Sequence, residues 1–296
     1  MWREYLFPQS VAEALEMLRA HNGSARIIAG GTDLVLQRKE GKSTAEVAAA
    51  EVAVDISRIP GLNGIEVTGD HVRVGALVTH AQVAAAPLIL ERAAVLAEAC
   101  SKVGGPQTRN VGTLVGNVVN ALPAADSAIA LMALDAEVEV VALEGKRWLP
   151  LKELYRGVGQ CCVDACSQIV TTLRFRSLES SYGSAYERLA KRRSLILPIL
   201  AVAAVVGVDN GRFKEVRIAM GPVALVPLRV SAAEDSLRGR PIGQEAIKQA
   251  AAKALAAAQP RDSVLRGSRE YRQAMVEVLA RRALTRATVA AGYSLE

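Results

Sequence analysis

The sequence predicts an α+β protein, not a doubly wound chain. Two tight hairpins carry this reading. "GIEVTGDHVRVGA" alternates Ile65 and Val67, then Val72 and Val74, about a turn at Gly69 and Asp70. "VGVDNGRFKEVRIAMG" turns at Asp209-Asn210-Gly211, and Asn-Gly is the pair that type I′ geometry prefers. The third observation is that helical spacing collects elsewhere, in an early segment, a middle block and the whole C-terminal end.

In chain order, "SVAEALEMLRAH" spaces Val11, Ala14, Leu15 and Leu18 at helical intervals, with Ser10 positioned to cap. "ARIIAG" reads as a strand stopped by Gly30 and Gly31, and "VAVDIS" as another. After the first hairpin, residues 79–102 are rich in alanine and leucine and read as one long helical region. "SAIALMALDAEVEVVAL" passes from helical spacing to strand alternation near Glu137, and "DACSQIVTTLRF" ends in another alternating run. The polar, serine-rich "RSLESSYGS", residues 176–184, marks a domain boundary. Beyond the second hairpin the chain reads as helical: 243–258 is alanine-rich, and 268–290 carries Met275, Leu279 and Ala283 along one side.

Composition narrows the function. Hydrophobic residues are 51% and charged ones 22% of 296, the balance of a globular chain of two or three small domains. Aromatics are 4%, too few for a base-stacking surface, and the +6 charge is scattered, which argues against nucleic-acid binding. The longest apolar run, "LILPILAVAAVVGV" at 195–208, is too short to span a bilayer and reads as core. The start, "MWREYLFPQS", lacks the pattern of a signal peptide, so the four cysteines are expected as free thiols in a reducing cytoplasm. His21, His71 and His80 are isolated and show no metal-ligand spacing, so no metal is expected in this chain.

Two glycine stretches carry the chemistry. "RIIAGGTDL", residues 26–34, ends a strand in two glycines, which permit positive φ and leave amides bare for an anion. Alone it reads first as a plain strand-to-helix turn, since it is neither G-x-G-x-x-G nor a P-loop. The second, "GGPQTRNVGTLVGNVVNALPAADSAIALMALDA" at 104–136, sets Gly104, Gly105, Gly112 and Gly116 among Thr113, Asn117, Asn120 and Asp126. It reads as a loop wrapping a polar cofactor.

Together, "IIAGGTDL" and "TRNVGTLVGNVVNALPAADSAIALMALDAEVEV" resemble the FAD-binding medium subunit of the xanthine dehydrogenase family of molybdenum hydroxylases, whose relatives include carbon monoxide dehydrogenase. "FKEVRIAMGPVALVPLRVSAAEDSLRGR" resembles that family's C-terminal domain. The resemblance implies a two-part FAD-binding domain of the vanillyl-alcohol-oxidase-like type, with subdomains 1–57 and 58–176, and a small α+β C-terminal domain at 177–296.

By the same resemblance, the backbone of Ala29, Gly30, Gly31, Thr32, Asp33 and Leu34 cradles the FAD pyrophosphate, with Asp33 facing away or holding the loop. Thr113, Gly116 and Asn117 lie along the cofactor, and Asp126 meets the sugar hydroxyls of its adenosine end. Arg188 aligns with a lysine near the flavin, though the sequence alone also allows a surface cation. Two residues depart from the pattern. Val115 stands where glycine is usual, which would be strained if that position needs φ > 0. Ile196 stands where an aspartate is common.

The implied function is electron transfer: an iron–sulfur subunit delivers electrons from [2Fe–2S] clusters, and FAD passes them to NAD⁺ or another acceptor. A large molybdopterin-binding subunit oxidises the substrate, a purine or other N-heteroaromatic, in a dimer of heterotrimers. No nucleophile or acid/base constellation is needed here, and the chain offers none. The alternative is a scaffold of the same fold that has lost its cofactor and only assembles the complex; Val115 and Ile196 would favour it. A relative carries an extra iron–sulfur cluster in an inserted loop, but no such insertion is visible around Cys161, Cys162 and Cys166. A flavin oxidase acting alone would need its own base over the ring, and none stands out.

Overall fold

The computed structural model describes residues 2–40 and 50–295. Residues 41–49 of the expected first subdomain lie outside them. Strands β1 (Glu4–Leu6), β2 (Ala25–Ile28) and β3 (Val52–Asp55) form a parallel sheet in the order β1-β3-β2. The Val11–Ala20 helix joins β1 to β2 and buries Ala14, Leu15 and Leu18, the spacing read from the sequence. Ser10 caps it by accepting from the Glu13 amide at 3.1 Å.

A larger antiparallel sheet follows, made of β4 (Ile65–Thr68), β5 (His71–Gly75), β6 (Glu137–Ala142), β7 (Gly145–Pro150) and, after a small ribbon of β8 (Tyr155–Gly157) and β9 (Gln160–Cys161), β10 (Ile169–Arg176). Its order is β4-β5-β10-β6-β7. The first hairpin pairs Thr68 with His71, so the turn is the expected Gly69-Asp70. The third sheet is antiparallel in the order β11 (Tyr182–Leu189), β12 (Leu200–Asp209), β13 (Arg212–Gly221), β14 (Leu228–Arg229). There Asp209 pairs with Arg212, and Asn210 and Gly211 both have positive φ, +48° and +72°, the type I′ requirement.

The unbroken apolar run of β12 has a simple cause: both faces are buried. Ala201, Ala203 and Val205 join the core beneath the first two sheets, while Leu200, Val202, Ala204 and Val206 join a second core under the C-terminal helices Gln244–Ala257 and Arg269–Ala290.

The expected long helix at 79–102 is instead three short ones, His80–Ala85, Pro87–Arg92 and Ala94–Lys102. Pro87 at N1 starts the second, after an extended Ala86, and a non-helical Ala93 separates the last two. Among the described residues no helix is long and apolar enough to cross a membrane.

Candidate functional site

The two glycine stretches meet. A Cβ on Gly30 would lie 2.1 Å from the carbonyl oxygen of Val111 and 3.0 Å from the Cα of Gly112. A Cβ on Gly112 would in turn lie 3.1 Å from the Thr32 hydroxyl. What comes too close for a side chain at Gly30 is therefore the second stretch itself. Gly31 is needed for the turn, with φ +67°. It opens the Leu34–Glu40 helix, whose Gln37 donates to Asn120 Oδ1 at 2.9 Å and ties the stretches a second time.

The amides of the two stretches differ. Among the described residues, the N–H groups of Gly30, Gly31, Thr32 and Asp33 donate to no protein acceptor. In the second stretch many are spent: Gly112 on Thr108, Asn117 on the Thr113 carbonyl, and Gly116 on the Thr113 hydroxyl at 3.0 Å. That stretch is not the expected open loop. It forms the Pro106–Val111 and Leu114–Val119 helices, with Thr113 as the cap of the latter. Gly116 is bare because a Cβ would sit 2.8 Å from the Thr113 hydroxyl. Val115 lies inside this helix, buried in the core and without positive φ, so valine is unstrained there.

Around these segments several polar groups are fixed or left open. Ser127 donates to Asn117 Oδ1 at 2.6 Å, which leaves the Asn117 amide group to point elsewhere. Asn120 Nδ2 is buried without a partner. Asp33 makes no side-chain bond among the described residues, and burial raises its pKa, which lessens the charge it sets beside an anion. His80 donates its amide to the Gly112 carbonyl under the second stretch. Burial, with Arg109 nearby, lowers its pKa to about 4, so the ring is neutral at pH 7.

Asp126 opens the Asp126–Ala133 helix and is buried. Its Oδ1 accepts from Arg188 Nε at 2.8 Å and from the Tyr186 hydroxyl at 2.7 Å. Both charged side chains are enclosed, at 7% and 5% exposure. Burial pushes the Asp126 carboxyl up, opposed by the Arg188 cation and the two hydrogen bonds. Arg188 also donates to the Ile196 carbonyl, so it is no surface cation. Asp126, which the resemblance places at the adenosine sugar, and Arg188, which it places near the flavin, are thus in direct contact with each other.

Beside the pair lies a cavity of about 300 Å³ lined by Gly104, Asn117, Ala125, Asp126, Ile196 and Leu197. That is the lower end of the size range for small-molecule sites, about 300–1,000 Å³. Sequence reasoning missed Tyr186, although a strand's period of two puts it on the same face as Arg188. It also missed Ser127 and Gln37, for which no local signal exists.

The family model described as the FAD binding domain in molybdopterin dehydrogenase matches residues 2–175, and that of the CO dehydrogenase flavoprotein C-terminal domain matches 184–287. The chain is 33% identical to the nicotine 6-hydroxylase medium subunit of Paenarthrobacter nicotinovorans, covering 96% of each. It is 29% identical to the xanthine dehydrogenase FAD-binding subunit of Escherichia coli O157:H7, covering 97% of this chain and 96% of that one. Among solved structures it superimposes on carbon monoxide dehydrogenase from Hydrogenophaga pseudoflava, in a form lacking the Mo-pyranopterin moiety of the molybdenum cofactor, with a TM-score of 0.91 and 30% identity over 98% of both chains.

Proposed function

The chain belongs to the FAD-binding family of molybdopterin dehydrogenases of the xanthine and carbon monoxide dehydrogenase type, and on that footing we propose that it carries electrons from a partner iron–sulfur subunit to NAD⁺. The observation that supports the site is the run of four successive unpaired amides, Gly30 to Asp33, held against the second stretch. Successive N–H groups left without a protein acceptor suit a pyrophosphate. In this reading the backbone of Ala29 to Leu34 holds the diphosphate. Thr113 and Gly116 brace that contact by holding the helix turn behind it, and Asn117 and Asp126 direct polar groups at one end of the cofactor. Arg188 and Tyr186 keep the Asp126 carboxylate in place.

When bound, FAD accepts electrons singly and gives them up as a pair. The chain's own task is to bind, orient and shield it. Substrate oxidation belongs to a large molybdopterin subunit. A purine or another N-heteroaromatic is the proposed substrate class, and a relative named for nicotine hydroxylation supports it. The complex is proposed to be a cytoplasmic heterotrimer, and the chain to divide at 57 and 176, since each of the three parts carries its own sheet. The cofactor-free scaffold loses one support, because Val115 is at ease in its helix.

The test is direct. The purified protein should release one FAD per chain on acid denaturation, and anaerobic NADH should bleach the flavin bands. A colourless protein that still joins its partners would overturn the cofactor assignment. A yellow protein that NADH fails to reduce would overturn the acceptor alone.

A further inference from the structure

The open face of the β4-β5-β10-β6-β7 sheet carries a second, polar cavity of about 150 Å³, lined by no residue of either glycine stretch. His71, Arg73, Glu139, Lys146, Trp148 and Arg174 line it. Its charges are arranged unusually. Arg73 and Arg174 are direct cross-strand partners of β5 and β10, and like charges so placed destabilise a sheet.

Every other cation of this face has a carboxylate. Arg174 holds Glu137 at 2.7 Å, Arg176 holds Asp70 at 3.1 Å, and Lys146 holds Glu139 at 3.3 Å. Glu139 is further held by the Thr171 hydroxyl at 2.8 Å. Among the described residues Arg73 has none, and its Nε is buried without a hydrogen-bond partner. Glu66, opposite it on β4, makes no bond to it. Among the described residues the Arg73 guanidinium lies over the Trp148 ring, 5.6 Å away, on which Arg174 stacks at 3.9 Å.

A buried donor without a partner is costly, and an oxyanion beside the Arg73 Nε would satisfy it. We propose that this cavity binds a small oxyanion, a phosphate or a carboxylate, bridging the guanidinium of Arg73 to that of Arg174 over the Trp148 ring. A cavity of this size holds several waters or one such ion. Guanidinium groups pair bidentately with the oxygens of carboxylates and of phosphates alike. This site is independent of the cofactor reading.

The test is isothermal titration of the full-length chain with inorganic phosphate, and separately with acetate, at ionic strength held constant with chloride. One saturable site is expected. Arg73→Gln should weaken it at least tenfold, and Arg212→Gln, on β13, should leave it unchanged. Saturation by phosphate alone identifies a phosphate site, and equal saturation by acetate identifies a carboxylate site. A response that never saturates, or an Arg73→Gln protein that binds as the wild type does, overturns the proposal.

Discussion

Gly30→Ala tests whether the two glycine stretches hold each other. The added methyl carbon would stand 2.1 Å from the Val111 carbonyl oxygen and 2.8 Å from its carbon. Carbon–oxygen contacts of this kind settle near about 3.3–3.6 Å. The stretches must therefore part by roughly 1 Å, and the obstacle is backbone, with no rotamer to swing aside. Overpacking costs about 1–3 kcal/mol, and a backbone obstacle belongs at the upper end. An expected loss of about 3 kcal/mol is roughly a hundredfold in the folding equilibrium. The same displacement disturbs the amide row, so flavin retention should fall with it. Urea unfolding and flavin content after gel filtration measure the two effects. Gly64→Ala is the control: it has no positive φ and open space around its Cβ, so it should be neutral or stabilising by up to about 1 kcal/mol. If Gly30→Ala unfolds within about 0.5 kcal/mol of wild type and keeps its flavin, the close approach carries no weight and the reasoning fails.

Three further outcomes follow from the geometry. Asp126→Asn strips the counter-ion from the enclosed Arg188 and should cost about 3–5 kcal/mol, while adding Arg188→Met should recover part of it; strict additivity in a double-mutant cycle would refute the coupling. The His80 pKa is depressed to about 4, so the unfolded chain binds its proton first, and stability present above pH 6.5 is lost as pH falls toward 4. Between pH 6.5 and 5 that loss is about 1.5 kcal/mol, and urea titrations of His80→Gln should lack it. Val115→Gly restores the glycine more usual in the family, yet it should destabilise by about 2–4 kcal/mol without tightening FAD binding, because it empties a buried helical position.

The sequence announced features whose physics is local. Ser10 caps because a serine before an amphipathic run accepts an amide, and Asn210-Gly211 turns because both residues tolerate positive φ. The two segments of the site were also legible, since four glycines among hydroxyl and amide side chains are unlike either core or linker. What could not be read was the reason for each glycine. Gly30 answers to a carbonyl eighty-one positions away, and only the fold makes that carbonyl a neighbour. The 104–119 stretch was read as a loop because its glycines and proline outweigh its short helical turns, although Pro106 at N1 and Thr113 as a cap are helix-start signals. The parallel order of the first sheet was equally hidden, because strand pairing is a long-range choice.

The pairing of Asp126 with Arg188 changes what the third sheet does for the site. Arg188, as a free cation, would bias the charge of a neighbouring ring; bonded to Asp126 and to the Ile196 carbonyl, it contributes a short dipole. Ile196, where the family often has an acid, therefore leaves no cation unanswered, since its backbone supplies the oxygen. Both Arg188 and Tyr186 lie on β11, whereas Asp126 belongs to the helix that follows the second glycine stretch. Further contacts fix that geometry. Glu98 accepts from the Tyr186 amide and from Arg286 of the last helix, and Arg229 beside β13 reaches the Met132 carbonyl and Asp135 at the end of the Asp126 helix. The C-terminal part is thus no appendage to a finished cofactor domain. Without it, Asp126 would have neither its counter-ion nor its hydroxyl donor, so residues 1–176 by themselves lack the groups that fix this carboxylate.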